Sequence, residues 1–231
     1  MSLVISIKAA DGIILAGDTR GTTGDPRGLT AISDIYKKIG RLSNCCGIGV
    51  AGSTELGAAL LDNMESKVAG KGLLYIDEML EYIRVEFKTK FNEWFSNVPL
   101  NERPPILFLL CGYRSKDKSL EPMIFSLQSQ LDFAPMLHTA GRAMIGVPQY
   151  AVYLWNRYYD PKMSKSDAAA LVEYLIFETA TQDPKVGGPI NIAEITSDNG
   201  YHELSEKEVD NIRKANDSQS LKLRGFFFAG R

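Results

Sequence analysis

Serine at position 2 has the shortest route to covalent chemistry of any residue in this 231-residue chain. Methionine aminopeptidases generally act when the second residue is small, and loss of Met1 would leave a hydroxyl and a free α-amine on one residue. With a reference pKa of about 8, the amine is unprotonated in a useful fraction near neutral pH, and it accepts a proton directly or through one water. Such a residue is a nucleophile that carries its own base. The plain alternative is an ordinary second residue. Two more landmarks follow: Gly17-Asp18-Thr19-Arg20-Gly21-Thr22, and the lysine pair Lys37-Lys38 before a glycine-rich apolar stretch. The plain alternative for Asp18 and Lys38 is a surface ion pair.

Other chemistries find little material. The two histidines, His138 and His202, leave few candidates for a histidine-dependent triad, and both read as structural. Cys45, Cys46 and Cys111 suggest neither a disulfide framework nor a zinc spacing, and they fit a reducing compartment. Neither a phosphate loop nor a metal-ligand cluster is visible, so no cofactor and no metal is expected. The formal charge of −2 comes without a basic stripe with interleaved aromatics, which speaks against nucleic acid as a partner. No apolar run reaches the roughly 18 to 20 residues that cross a bilayer, and the first residues lack the parts of a secretory signal. The expectation is a cytoplasmic protein with no membrane partner.

The elements that must position these residues begin with strands. Leu3 to Ala9 and Ile13 to Asp18 flank the turn signal Ala10-Asp11-Gly12 and read as a hairpin. Gly21 to Ile32, polar with Gly, Pro and Thr, reads as a loop. Ile39 to Leu42 and Gly47 to Ala51 make a second hairpin. Leu56, Leu60, Met64 and Val68 then recur at helical spacing behind Ser53 or Thr54 as cap, with Gly70 as the end. A second helix carries Ile76, Met79, Leu80, Ile83, Phe87 and Phe91 on one stripe. Strands return at Ile106 to Tyr113, Met123 to Gln128 and Met136 to Thr139, the first two joined by a charged turn over Arg114 to Ser119. Helices follow over Pro148 to Tyr159 and Lys165 to Gln182, the latter with a capping box from Ser164 to Asp167. Strands at Ile190 to Thr196 and Tyr201 to Leu204 turn at Asp198-Asn199-Gly200, and a last helix opens at Ser205 with Glu208 as a second box.

Strands, two helices, strands, two helices, strands and a terminal helix predict an α+β fold, a four-layer αββα sandwich with two facing sheets inside and helices outside. With 45% hydrophobic residues the chain can bury a full core, so residues 1–231 read as a single domain with a C-terminal extension from about 216. Leu221, Leu223 and Phe226 to Phe228 are apolar for a free end. They are expected to pack on the domain edge or on a neighbouring subunit.

This order of elements, and the residues at its joints, resembles the N-terminal nucleophile (Ntn) hydrolases, and within them the proteasome β family, over nearly the whole chain to about Ala215. Asp11-Gly12 fills the family's first turn, Asp18-Thr19-Arg20 is similar to its acidic-x-Arg element, Lys38-Ile39 to its active-site lysine, and Ala51-Gly52 to its Ala-Gly before the first helix. Asp183 with Gly187-Gly188 and the hairpin to Gly200 is similar to its closing segment. The resemblance puts Ser2 where the family has its N-terminal threonine. It implies Ser2 as nucleophile, Lys38 held cationic beside Asp18 to lower the nucleophile's proton affinity, the Gly52 N–H as oxyanion donor, and Asp183 orienting the N-terminal residue. It further implies Gly21 and Thr22 pairing with an extended substrate backbone, and Val50 lining the primary specificity pocket. The chain departs from the family in using serine, and in placing Ala140 and Val186 where the family has serines around the amine.

On this resemblance the expected activity is cleavage of peptide bonds, as a threonine-peptidase-like hydrolase with a serine nucleophile. The implied partners are a peptide or unfolded-protein substrate, identical subunits in a homo-oligomeric ring or open helix as in bacterial proteasome-like relatives, and an ATPase unfoldase. Two alternatives stay open: a catalytically inactive β-type structural subunit, and an amide or peptide transferase in which an amine captures the acyl group.

Overall fold

The structure, a computed structural model, describes residues 2–24, 30–117 and 119–228. Met1, on whose removal the serine chemistry depends, lies outside the described residues, as does part of the expected loop after Thr22. The first hairpin forms as expected from β1 (Leu3–Ala9) and β2 (Gly12–Asp18), in the register Ser6 opposite Leu15 and Ile7 opposite Ile14. Nearly every side chain of both strands is buried, which is why their apolar pattern runs on instead of alternating. The segment expected as a loop is instead a two-stranded ribbon, β3 (Gly21–Gly24) with β4 (Thr30–Ser33). Threonine suits a pleated edge, and the ribbon belongs to neither main sheet.

The second hairpin is β5 (Ile39–Ser43) and β6 (Cys46–Gly52), with a register shift between Arg41 and Ser43. The stripe from Leu56 to Val68 is two helices, α1 (Thr54–Leu61) and α2 (Met64–Gly70), not one. The break falls at Asn63, which takes a left-handed φ of 57° that asparagine tolerates better than most residues. Next, α3 (Ile76–Trp94) presents the predicted stripe inward. Strands β7 (Ile106–Lys116) and β8 (Ser119–Gln128) run further into the charged segment than expected, pairing Arg114 with Glu121 across the ladder, where the side chains are salt-bridged. Strand β9 is short (Met136–Leu137), and β10 (Arg142–Gly146) follows it where no strand was expected. Helices α4 (Gln149–Tyr158) and α5 (Lys165–Gln182), strands β11 (Ile190–Thr196) and β12 (Gly200–Glu203), and α6 (Glu206–Phe228) complete the order. The capping box at Ser164 and Asp167 is formed, as is the one from Ser205 to Glu208.

Two five-stranded sheets, β10-β1-β2-β11-β12 and β5-β6-β7-β8-β9, face each other. Val4, Leu15, Ile39, Leu109, Ile145 and Ala193 fill the space between them. Outside the first sheet, α4, α5 and the start of α6 cover Leu3, Ile5, Ile14 and Ile192 with Trp155, Val172 and Ile176. Outside the second, α1 to α3 bury Val50, Phe108 and Leu127 under Met64, Phe87 and Phe91, and the ring of Phe133 meets those of Phe87 and Phe91 edge-on. The result is the four-layer α+β sandwich. Cys46 and Cys111 are buried and Cys45 half-buried, all three free.

Helix α6 leaves the body after a polar anchorage: Arg213 pairs with the buried Glu173 of α5 at 2.9 Å, and the Asn216 amide donates to Glu173 and to the Ala170 carbonyl. Beyond it Leu221, Leu223 and Phe226 to Phe228 stand 53–76% exposed. Leu223 lines a groove with Tyr158, Leu171 and Tyr174 of the domain, and more than half of each of the five apolar end side chains remains exposed.

Candidate active site

The end of β2 and the start of β1 meet at Asp18. Burying a carboxylate requires that its oxygens be satisfied, and Asp18 achieves this with four donors. Its Oδ1 accepts from the Leu3 N–H at 2.9 Å and from Lys38 Nζ at 2.8 Å, and its Oδ2 accepts from the N–H groups of Arg20 at 3.2 Å and Gly187 at 3.0 Å. Both side chains of the Asp18–Lys38 pair are 0% exposed, so this is not a surface ion pair. Lys38 Nζ also donates to the Arg20 carbonyl at 2.5 Å. Burial pulls the Lys38 ammonium below its ordinary pKa, opposed by the charge and the hydrogen bond of Asp18.

Ser2 sits one residue before the Asp18 contact. It is 1% exposed, and its Oγ finds no hydrogen-bond partner among the described residues. A buried hydroxyl without a partner ordinarily costs about 1–3 kcal/mol. The Ser2 carbonyl accepts from the Val147 N–H at 2.9 Å, which docks β1 against the end of β10. At Gly146 the approach is so close that a Cβ would fall 1.8 Å from the Ser2 carbonyl oxygen and 3.3 Å from the Ala51 Cβ, and its φ is +99°. Gly146→Ala should therefore displace Ser2 and lower stability by at least the roughly 1–3 kcal/mol of the backbone strain alone. Urea unfolding checks this, and a loss under about 0.5 kcal/mol would contradict the packing described.

Across from Ser2, Ala51 and Gly52 end β6 and lead into α1, whose first turn carries Glu55. Gly52, Ser53, Thr54 and Glu55 form one wall of a cleft of about 340 Å³, and Gly21 to Gly24 with Tyr36 form the other. Gly21, Thr22 and Gly52 line this cleft, whereas Ser2, Asp18 and Lys38 do not: they lie buried beside it, Lys38 joined to it through the Arg20 carbonyl and Ser2 through Gly146, which packs on Ala51. Asp183, Val50 and Ala140 are placed differently. Asp183 caps the C-terminus of α5 and its Oδ1 accepts from the Lys185 N–H at 2.9 Å, so its carboxylate closes a turn instead of meeting the Ser2 hydroxyl. Val50 is 3% exposed and packs under α1 against Gly57, away from the cleft lining, because even-numbered residues of β6 face the helix layer. Ala140, expected beside the amine, is exposed in the turn next to Gly141, whose carbonyl accepts from the Lys8 N–H. That is the far end of β1, about 20 Å from Ser2 at about 3.3 Å per residue. Gly146 and Val147 occupy the place assigned to it. Val186 is fully buried, and its carbonyl accepts from Arg20.

Four residues to which the sequence assigned no role take part: Arg20, Asp34, Tyr36 and Gly187. The Arg20 guanidinium grips Asp34 through both oxygens, at 2.8 and 2.9 Å, and holds that carboxyl below the usual range. Its Nη1 lies 3.4 Å from the Pro184 and Val186 carbonyls, so the fork ties β2 to the turn that delivers Gly187 to Asp18. Tyr36 lines the cleft, and its N–H donates to the Thr19 carbonyl at 3.0 Å. Gly187 was noted as a family mark but not as a donor. His138 shares a hydrogen bond with Ser126 at 2.9 Å. Among the described residues no group of three or more His, Cys, Asp or Glu could hold a metal ion, and no helix is long and apolar enough to cross a membrane.

Comparison with known proteins bears on the family and the fold. The protein family described as Proteasome subunit matches residues 2–195. A proteasome subunit beta of Methanopyrus kandleri is 26% identical over 212 residues, covering 90% of this chain and 93% of that protein. Among solved structures, the helical assembly of the Anbu complex from Pseudomonas aeruginosa superposes with a TM-score of 0.78 at 13% identity, over 99% of this chain and 97% of that one, a likeness of fold.

Proposed function

This chain belongs to the proteasome subunit family, and on that premise we propose that it cleaves peptide bonds through Ser2, freed at its amine by removal of Met1. The observation that carries the reading is a buried serine hydroxyl without a partner among the described residues, on the residue before Leu3, whose N–H donates to the Asp18 of a fully buried lysine–aspartate pair. Ser2 Oγ attacks the substrate carbonyl carbon and its proton passes to the α-amine. The Gly52 N–H, at the approach to α1, faces the developing oxyanion. The amine then gives its proton to the leaving nitrogen, the C–N bond breaks, and an ester on Ser2 remains. Water attacks that ester with the amine again as base, releasing the acid and restoring Ser2. Lys38, held cationic by Asp18, favours the ionised hydroxyl by its field. The substrate would lie extended along Gly21 and Thr22, with Asp183 steadying the turn that supplies Gly187.

Self-assembly belongs to the same reading. The exposed apolar side chains of Leu221, Phe226 and Phe227 near the end of α6 and the helical assembly of the Anbu fold neighbour both support a homo-oligomer, ring or helix; peptide or unfolded protein is the substrate this reading implies. The non-catalytic alternative is favoured by one feature, the buried apolar Val186 near the site in place of a hydroxyl. Turnover of fluorogenic peptides by wild type and Lys38→Met separates the two. The variant should lose at least roughly tenfold, about 1.4 kcal/mol, whereas a change within about threefold contradicts the role given to Lys38.

The pH profile carries a second expectation. The rate should rise as the α-amine loses its proton near its reference pKa of about 8, and fall as Lys38 loses its own. Because burial lowers the Lys38 pKa from 10.5, the alkaline limb should lie below that value. An alkaline limb at or above 10.5, measured on single-turnover acylation, would assign it to another group.

A further inference from the structure

We infer that the free edge of β10 is a docking site for an extended segment of a partner polypeptide, which adds to the sheet as a further strand and places an acidic side chain on Arg142. The inference does not depend on the hydrolase reading. Strand β10 ends the first sheet and pairs with β1 alone. The Lys8 N–H donates to the Gly141 carbonyl at 2.7 Å, and the Val147 N–H to the Ser2 carbonyl at 2.9 Å. In an antiparallel ladder the residues that bond one neighbour alternate with those that face the other side, so Gly141, Ala143, Ile145 and Val147 serve β1. The N–H and C=O groups of Arg142 and Met144 therefore point away from the sheet, and among the described residues they have no hydrogen-bond partner. Unpaired groups of this kind are a template for another strand.

The surroundings of that edge define what the added strand must carry. Ala143 and Ile145 pack between the two sheets, so Arg142 and Met144 face the helix layer, where they line a cleft of about 280 Å³ with Pro148, Val152 and Trp155. A residue added opposite Met144 sends its side chain into this cleft, whose walls there are apolar. The Arg142 guanidinium lies over the rings of Tyr159 and Trp155, at 5.1 and 5.5 Å from their centroids, and no carboxylate pairs with it among the described residues. Asp160, next to Tyr159, accepts instead from the Lys162 N–H at 2.8 Å. A charge that only guards an edge stands out over it, whereas this one is laid back on two rings with its N–H fork free to take a carboxylate through two parallel bonds. Because Arg142 and Met144 lie two residues apart on one face, the segment they fit has an apolar residue and, two positions away, Asp or Glu.

The test uses acetylated, amidated peptides of alternating valine and threonine in which one central valine is replaced by glutamate, glutamine or lysine. Binding is read by fluorescence polarisation on the full chain carrying Ser2→Ala, so that cleavage cannot consume the peptide. The glutamate peptide should bind at least roughly tenfold tighter than the glutamine peptide, with lysine weakest, and Arg142→Gln should bring glutamate and glutamine within about twofold of each other. Hydrogen exchange gives a readout that needs no variant at Arg142. Bound peptide should slow exchange at the Met144 amide and leave the Ala143 and Ile145 amides, already bonded to β1, unchanged. Absence of binding, equal affinity for the glutamate and glutamine peptides, a preference that survives Arg142→Gln, or an unprotected Met144 amide in the complex overturns the assignment. Protection of Met144 in the peptide-free protein that grows with protein concentration would give the edge to a second copy of this chain, and overturns it as well.

Discussion

Asp18→Ala should cost about 3–5 kcal/mol of folding free energy, and more than Lys38→Met. Removing one partner of a buried ion pair leaves the other charge uncompensated, and that is the usual size of the penalty. The order follows from what each variant leaves behind. Without Asp18, the buried Lys38 ammonium keeps the Arg20 carbonyl as its remaining described acceptor, while the N–H groups of Leu3, Arg20 and Gly187 lose theirs. Without Lys38, Asp18 still accepts from all three N–H groups, and methionine refills most of the volume. Urea unfolding at one protein concentration, with unchanged m, gives both numbers. If Lys38→Met proved the more damaging, the view of Asp18 as the joint between β1, β2 and the Gly187 turn would be wrong.

Ser2→Ala should remove acylation altogether while leaving stability within about 1 kcal/mol of wild type, and it should rise if anything. The hydroxyl makes no hydrogen bond among the described residues, so its loss deletes none, and it relieves a buried unsatisfied group. A purely structural serine gives the opposite pattern, a stability loss with labelling unchanged. Residual labelling of Ser2→Ala at the wild-type rate would move the nucleophile elsewhere in the chain. Assembly, read by sedimentation, should not change.

These expectations divide according to what local sequence can express. The hairpin of β1 and β2, the capping box that opens α5 and the inward stripe of α3 depend on neighbours a few residues apart, and all were legible. Strand β10 was not, because Arg142-Ala-Met-Ile-Gly is too short and mixed to show a period, and it exists by pairing with β1 more than a hundred residues earlier. The consequence reached the site: with β10 unseen, Ala140 was set beside the amine, a place that Gly146 and Val147 hold. The single helix drawn through Asn63 failed in the same way, since a helical stripe persists across a break when both halves face one core. At the site, Asp18 and Lys38 were readable as a family pattern, yet only the folded chain makes them a buried pair. Arg20 with Asp34, Gly187 with Asp18, and Tyr36 over Gly21 join residues up to 169 apart in sequence, and no spacing rule foretells them. Val50 was assigned to the correct strand and the wrong environment, because burial under α1 depends on the glycine at position 57.

The most direct test of a self-activating serine is the intact mass of the purified full-length chain before and after an electrophile aimed at N-terminal nucleophiles. The account predicts a mass lacking Met1 and a single adduct that the Ser2→Ala variant fails to form. A chain that retains Met1 and takes up no adduct would contradict it, and would leave the fold as that of a structural proteasome-family subunit.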